Sequence, residues 1–317
     1  MRAARLVDGA ITVIETEPTT PEYATDPVTV HVRSCSICGS DLHLLGWGLP
    51  CTFGHEFAGV LDDGTPVAVQ PYSACGQCDQ CRAGETALCR IMLTRFHGVS
   101  LDGGLADEVI VDRACLAPLP SQVSLDTAAL VEPLAVAVHA ANNAGLSNAE
   151  AADGPVLVIG GGSIGLAVTS VIKHRGYAVD LIARHAAQQA AGERLGAGLA
   201  PNEEYSVVMD AAATQSSMDE AVMRLRPGGT LGVVGTYWDP VEIGFSLLTK
   251  EAHLVPGSMY GHRDGRREFD EAVDVLAAHP EIPETLVTHR FGLDDAPEAF
   301  RTAADRAAGA IKVVIQP

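Results

Sequence analysis

Basic side chains are scarce in this 317-residue chain: 21 Lys and Arg stand against 40 Asp and Glu, for a formal net charge of −19. That shortage argues against a nucleic-acid binder, which needs a basic face to meet phosphates, and against docking on an anionic membrane surface. No uninterrupted apolar stretch reaches the ~18 residues of a membrane helix. The N-terminus, Met1-Arg2-Ala3-Ala4-Arg5, lacks the apolar core of a signal peptide. Together these absences lead to the expectation of a cytoplasmic protein. No fixed-period repeat or low-complexity linker is present. Hydrophobic residues make up 47% and charged residues 19%, a balance that excludes a disordered chain. The length suggests two domains at about 150 residues each.

Up to Ser124 the chain reads as short strands punctuated by Gly and Pro, with candidates at Val28–Val32, Phe57–Leu61, Pro66–Gln70 and Val109–Val111. This pattern predicts a compact β-rich domain, a barrel. From Ser124 the texture changes. A helix pattern over Ala128–Ala141 is followed by alternating strands (Pro155–Ile159, Val179–Ala183, Val207–Asp210, Thr230–Val234) and helices (Ile164–Lys173, a helix ending near Gly196, Met218–Leu225). Such alternation predicts an α/β fold with a doubly wound parallel sheet. Two more helices, Arg266–Ala278 and Asp294–Arg306, precede a closing strand at Ile311–Ile315.

Val156-Leu157-Val158-Ile159 runs into Gly160-Gly161-Gly162-Ser163-Ile164-Gly165, and a helix pattern follows. Glycines 160, 162 and 165 fit G-x-G-x-x-G: a tight turn, a close approach to a pyrophosphate, and close helix–strand packing. The free N–H groups at the start of the helix favour phosphate. This marks a dinucleotide site. At the end of the next strand, where an acidic residue would bind the ribose hydroxyl of NAD, stands Arg184; a guanidinium suits the 2′-phosphate of NADP. Stacking of Arg184 on the adenine, with use of either NAD or NADP, is the alternative.

Cysteine is plentiful, at eight residues, and in a chain of this size metal ligation is favoured over disulfides. Cys75-x2-Cys78-x2-Cys81-x7-Cys89 can close a tetrahedron around Zn²⁺ with no open position, a structural site. An iron–sulfur cluster or a set of disulfides are the alternatives. Cys35, Cys51 and Cys115 have no partner spacing and read as free thiols in packing roles. A second set is dispersed: Cys38, His55 with Glu56, and Glu132. One thiolate, one imidazole and one or two carboxylates suit zinc with an open position.

The stretches C-G-S-D-L-H at 38–43, G-H-E-F-A-G at 54–59, the four-Cys loop at 75–89, G-G-L-A-D-E-V at 103–109, E-P-L at 132–134 and the glycine turn at 160–165 together resemble the zinc-dependent medium-chain dehydrogenases, the group that includes sorbitol, threonine and secondary-alcohol dehydrogenases. The resemblance implies a GroES-like β-barrel catalytic domain (1–124 and 258–317) and a Rossmann coenzyme domain (125–257). It implies a catalytic zinc on Cys38 and His55, completed by Glu56, Glu132 or water, and a structural zinc on Cys75, Cys78, Cys81 and Cys89. Asp41 would orient His55, Ser40 would hydrogen-bond the substrate oxygen, and His43 would pass its proton to solvent. NADP or NAD would lie on Gly160, Gly162, Ser163, Ile164, Gly165 and Arg184. The expected substrate is a small-molecule alcohol, a secondary alcohol or polyol, interconverted with its ketone or aldehyde. The expected assembly is a homodimer or homotetramer formed through Rossmann edge strands. A biosynthetic ketone reductase of the same fold and a non-catalytic NADP-binding sensor are the alternatives.

The chain is short for that family. Only 16 residues separate Cys38 from His55, which suggests a trimmed loop and a wider substrate cleft. Leu45, Trp47, Leu49, Phe96 and His97 are candidates for lining that cleft, and Tyr237 and Trp238 for lying near the nicotinamide.

Overall fold

The computed structural model describes residues 1–147, 154–199 and 204–317. The chain divides into two units: Met1–Glu132 with Gly261–Ala278 and Val287–Pro317, and Pro133–Tyr260 with His279–Leu286.

The first unit is built around a seven-stranded sheet. Its axis is the eleven-residue strand Pro27–Ile37, in which Val28, Val30 and Val32 alternate with Thr29, His31 and Arg33. That alternation puts valines on the core face and polar residues opposite. One edge of this strand pairs antiparallel with Glu56–Val60. The other is shared, residues 27–31 pairing with Glu108–Asp112 and residues 35–37 with the last strand, Lys312–Gln316. Pro66–Val69, Leu116–Pro118 and Val287–Gly292 complete the sheet. Its core joins Val30, Val32, Phe53, Phe57, Val67, Val69, Leu105, Val109, Val313 and Ile315, with Phe300 edge-on to Phe53. Burial of this apolar surface, at roughly 25 cal/mol per Å², is what holds the unit together.

The second unit carries a five-stranded parallel sheet in the order His253–Pro256, Leu225–Val233, Tyr205–Asp210, Val156–Ile159, Val179–Ile182. Helices Ser163–His174 and Gln215–Arg224 follow strands that step in opposite directions from the centre. Right-handed crossovers therefore set them on opposite faces. This is the doubly wound α/β arrangement, with its switch point between Val156–Ile159 and Tyr205–Asp210. It is narrower than the six-stranded form. Among the described residues, the place beyond Val179–Ile182 holds a single bridge, Asp180 to Gly198, instead of a third strand.

The unit boundaries differ from the sequence expectation at residues 125–132, 258–260 and 279–286, the first and last for identifiable reasons. The 3₁₀ turn Ala128–Leu130 packs on Pro27–Ile37 and Glu56–Val60, and the Ala129 N–H donates to Ser34 Oγ at 3.3 Å, so residues 125–132 belong with the first sheet. Helix Glu281–Leu286 packs on Ser163–His174 and on Ala186–Arg194, and His279 meets His174 at 2.9 Å, which draws residues 279–286 to the second unit. Among the described residues no helix is long and apolar enough to cross a membrane.

Candidate active site

Cys38 leaves the end of strand Pro27–Ile37 and caps the short helix Gly39–Leu44. His55 and Glu56 enter the neighbouring strand, Glu56 pairing in register with Ser36. Sheet register thus brings residues 17 and 18 positions downstream beside Cys38. The ligand atoms of Cys38, His55 and Glu56 all lie within 4.8 Å of one another.

Asp41, fully buried, serves both ligand segments. Its Oδ2 accepts the Cys38 backbone N–H at 2.9 Å, and its Oδ1 lies 3.2 Å from His55 Nδ1. The second contact is an ion-pair approach without good hydrogen-bond alignment, and it leaves both atoms otherwise unpartnered. With Nδ1 turned to Asp41, His55 Nε2 points toward the thiol side, and Ser40 Oγ lies 3.4 Å from it. Burial opposes a charged His55, yet Asp41 and Cys38 outweigh it and hold the imidazole well above its ordinary range. A thiol, an imidazole and a carboxylate converging here, with His55 Nδ1 and Asp41 Oδ1 left without hydrogen-bond partners behind them, fit a zinc ion.

Glu56 is buried and gripped from behind. Lys312 Nζ donates to Oε1 at 2.8 Å and Oε2 at 2.7 Å, and the Ser36 hydroxyl donates to Oε2. Burial works against the Lys312 charge, but Glu56, Cys38 and Glu132 hold its ammonium above the ordinary lysine range. Glu132 is buried in the first turn of helix Val131–Asn143. It bears on Lys312 electrostatically and stands outside the group of converging ligand atoms. His43 is exposed in the last turn of its helix, three residues after Ser40. Among the apolar candidates, Phe96 packs edge-on against His55. His97 turns away, its Nδ1 to Asp102 O at 2.7 Å and its Nε2 to Tyr23. Leu45 and Leu49 pack on the first unit's core, whereas Trp47 is 67% exposed.

The ligand atoms of Cys75, Cys78, Cys81 and Cys89 converge likewise within 4.8 Å. All four are free thiols. Backbone N–H groups of Gln77 and Cys78 point at Cys75 Sγ, and that of Cys81 at Cys78 Sγ. Backbone N–H groups of Arg90 and Cys81 bring the Cys78 thiol down to about 6, while burial pushes Cys81 up to about 12. N–H groups arranged around sulfur favour thiolates, the metal-binding form.

In the second unit, Gly160 has φ +108°, and a Cβ there would lie 2.9 Å from Ala212 N. A Cβ at Gly165 would meet Gly160 O at 1.8 Å, whereas one at Gly162 would meet nothing within 4 Å. The turn is closed on the protein side and open at Gly162, the N-cap of helix Ser163–His174. That is a cradle suited to a pyrophosphate. Arg184 is exposed just past strand Val179–Ile182, and its Nη2 donates to Ser216 Oγ at 2.5 Å. Ser216 lies in the first turn of helix Gln215–Arg224. Tyr237 donates to the buried Asp210, which also accepts from Ser217 and from the Ala212 and Ala213 N–H groups, fixing the turn beside Gly160. Sequence reasoning missed Lys312, Ser36, Asp210 and Ser216. For Lys312 a signal existed: one lysine inside the apolar run Ile311–Ile315.

Residues 24–121 match the family model of the alcohol dehydrogenase GroES-like domain, and residues 125–316 that of the glucose dehydrogenase C-terminus. The chain is 30% identical to L-arabinitol 4-dehydrogenase of Aureobasidium melanogenum, over 96% of this chain and 92% of that one. Among solved structures, galactitol-1-phosphate dehydrogenase of Escherichia coli superposes with a TM-score of 0.87 at 26% identity, covering 100% of both chains. A Sinorhizobium meliloti 1021 protein assigned as a zinc-binding dehydrogenase and solved with NADP superposes at 0.85 with 28% identity, covering 100% of this chain and 99% of that one.

Proposed function

This chain belongs to the zinc-dependent medium-chain dehydrogenases and is an NAD(P)-dependent alcohol dehydrogenase, and we propose that it interconverts a polyol or other secondary alcohol with the matching ketone, using NADP. The observation that carries this reading is the convergence of Cys38, His55 and Glu56, with Ser40 beside His55 Nε2. Similarity to the arabinitol and galactitol-phosphate enzymes supports a polyhydroxylated substrate. Arg184 supports NADP.

In this reading Cys38 and His55 hold the catalytic zinc and the four-cysteine loop holds the structural one. Bound zinc supplies Lewis-acid polarisation of the alcohol oxygen. The Ser40 hydroxyl takes the alcohol proton and hands it toward His43, one helical turn on and open to solvent. Asp41 keeps the His55 ring oriented. The N–H groups after Gly162 would hold the coenzyme pyrophosphate and Arg184 with Ser216 its 2′-phosphate; the nicotinamide would supply the hydride acceptor or donor. The eight free thiols support a reducing, cytoplasmic compartment.

The same reading includes self-association with a second copy through the strand His253–Pro256. This strand ends the sheet, carries the exposed Leu254 and lies beside the exposed Ile243. An open strand edge with apolar neighbours is a template for pairing. Light scattering should give a dimer or tetramer that Leu254→Lys weakens; a monomeric parent protein rejects it.

The function is tested by nicotinamide absorbance over a panel of polyols and secondary alcohols with NADP and NAD, and over the ketones with the reduced coenzymes. Turnover that chelation abolishes and zinc restores is expected. Turnover that survives complete zinc removal would overturn the assignment.

A further inference from the structure

The first unit also holds a cavity of about 800 Å³, whose lining includes Arg5, Tyr23, Arg95 and Asp102 but none of Cys38, His55 and Glu56. Its size is that of a small-molecule site, roughly 300–1,000 Å³. Its two arginines are differently placed. Arg5 donates to Asp102 Oδ1 at 3.0 Å and to Thr52 Oγ1 at 3.1 Å, so its charge is matched within the protein. Arg95 is half-buried, and its guanidinium meets no carboxylate or other hydrogen-bond acceptor among the described residues.

What does hold Arg95 is the Tyr23 ring, with the guanidinium carbon 4.9 Å from the ring centroid. Stacking of this kind fixes the guanidinium and leaves its N–H donors open. The ring is fixed in turn: the Tyr23 hydroxyl lies 3.4 Å from Nε2 of the buried His97, whose Nδ1 meets Asp102 O at 2.7 Å. A partly desolvated guanidinium with unfilled donors suits an incoming oxyanion. Glu22, exposed on the same lining, sets the charge of that anion. Water screens it more than it screens Arg95, but it opposes a dianion more strongly than a monoanion, which favours carboxylate over phosphate. Thr19 and Thr20, also on the lining, carry hydroxyls with no hydrogen-bond partner among the described residues. These suit a ligand that is itself hydroxylated.

We propose that this cavity binds a polyhydroxylated monocarboxylate, a sugar acid, and that Arg95 holds the carboxylate. Arg95 directly precedes Phe96, whose ring packs edge-on against His55. The acid therefore has two sources: the substrate itself, with its far end at the metal, or a separate effector. The first source rests on the reading of Cys38 and His55 as zinc ligands; the binding of the acid does not.

The test is calorimetric titration of the full-length, zinc-loaded protein with gluconate, sorbitol and inorganic phosphate as probes. Gluconate should bind more tightly than either of the others. Arg95→Gln, which touches only the Tyr23 ring, should melt like the parent and bind gluconate at least about tenfold more weakly, with sorbitol unaffected. Glu22→Gln should tighten gluconate about twofold, and keeps the proposal falsifiable should Arg95→Gln not fold. Equal affinity for gluconate and sorbitol overturns the proposal, as does an Arg95→Gln protein with the parent's affinity. Tighter binding of phosphate overturns the carboxylate assignment. Cys38→Ala separates the sources. Gluconate binding that needs both Arg95 and Cys38 identifies the acid as substrate, and binding that needs Arg95 alone identifies an effector. Binding that needs Cys38 but not Arg95 places the acid on the metal and refutes the cavity as its site.

Discussion

Asp41 and His55 meet at 3.2 Å, the carboxylate at Nδ1, while the other Asp41 oxygen holds the backbone N–H of Cys38. One buried side chain therefore sets both the ring of one metal donor and the backbone of the other. Partners of this kind typically govern 10–100-fold in metal affinity. Asp41→Asn is expected to lower catalytic zinc affinity by about that factor, leaving the four-cysteine zinc in place. Competition with a chromogenic chelator should resolve one weakened site of two; two unchanged sites would contradict the arrangement.

The two glycines of the nucleotide turn should fail in different ways. A Cβ at Gly165 would sit 1.8 Å from Gly160 O, so Gly165→Ala must displace backbone and should lose about 1–3 kcal/mol of stability. Gly162 has open space on its Cβ side. Gly162→Ala should melt like the parent yet bind NADP at least about tenfold more weakly, because the methyl occupies the phosphate approach. Melting curves with coenzyme titrations separate the two effects.

Arg184 touches the protein through Ser216 Oγ, a contact the fold can spare. A charge-assisted bond to a phosphate is worth about 1.5–3 kcal/mol. Arg184→Gln should therefore raise KM for NADP by roughly 10- to 150-fold, with KM for NAD nearly unchanged. Equal losses with both coenzymes would assign Arg184 to the adenine instead.

Asp112 is a pH-dependent staple of the first unit. Burial alone would raise its carboxyl. The N–H groups of Ala114, Thr25 and Asp26, with the Thr25 hydroxyl, hold it below the usual carboxylate range. Because its folded value lies below its unfolded one, its stabilisation is complete above about pH 4 and is lost as the pH falls through the folded value. Asp112→Ala should cost about 1–2 kcal/mol at pH 7. In urea titrations the gap between parent and variant should shrink on the acid side of pH 4. A gap that persists there would show that the charge is irrelevant.

If the four cysteines hold the structural zinc as proposed, Cys89→Ser should cost one zinc per chain and lower the melting temperature, because ligation would order the 75–89 loop. Coenzyme affinity, which resides in the other unit, should hold. A variant that keeps both metals would remove Cys89 from the ligand set.

The parts of the site legible in the sequence are those whose chemistry is local. The glycine turn, the four cysteines and the Cys38–Ser40–Asp41 helix each lie in one short segment, so spacing alone exposed them. Lys312 is 256 residues from Glu56 in the chain, and only the register of three strands brings them together. Glu132 shows the same distance in reverse: its residue type suits a ligand, and the first turn of its helix sets it within electrostatic reach of Lys312, beside the group of Cys38, His55 and Glu56. His97 shows the limit of composition: it neighbours Phe96 in sequence, yet successive side chains diverge, and its nitrogens went to Asp102 and Tyr23. The helix-to-strand alternation of the second unit was plain. The narrowing of its sheet was written only as a short interval between the helix ending near Gly196 and the strand beginning at Tyr205.

That narrowing has a kinetic side. Val179–Ile182 is secured by Val156–Ile159 on one side and, on the other, by two backbone bonds with Gly198: the Leu181 N–H to Gly198 O and the Gly198 N–H to Val179 O. Its amides should exchange with deuterium early, ahead of those on the Leu225–Val233 side. The glycine turn grows directly out of the adjacent strand, so every opening event there loosens the phosphate cradle as well. Coenzyme then acts as the missing reinforcement: at saturation it should slow exchange most where the sheet is thinnest.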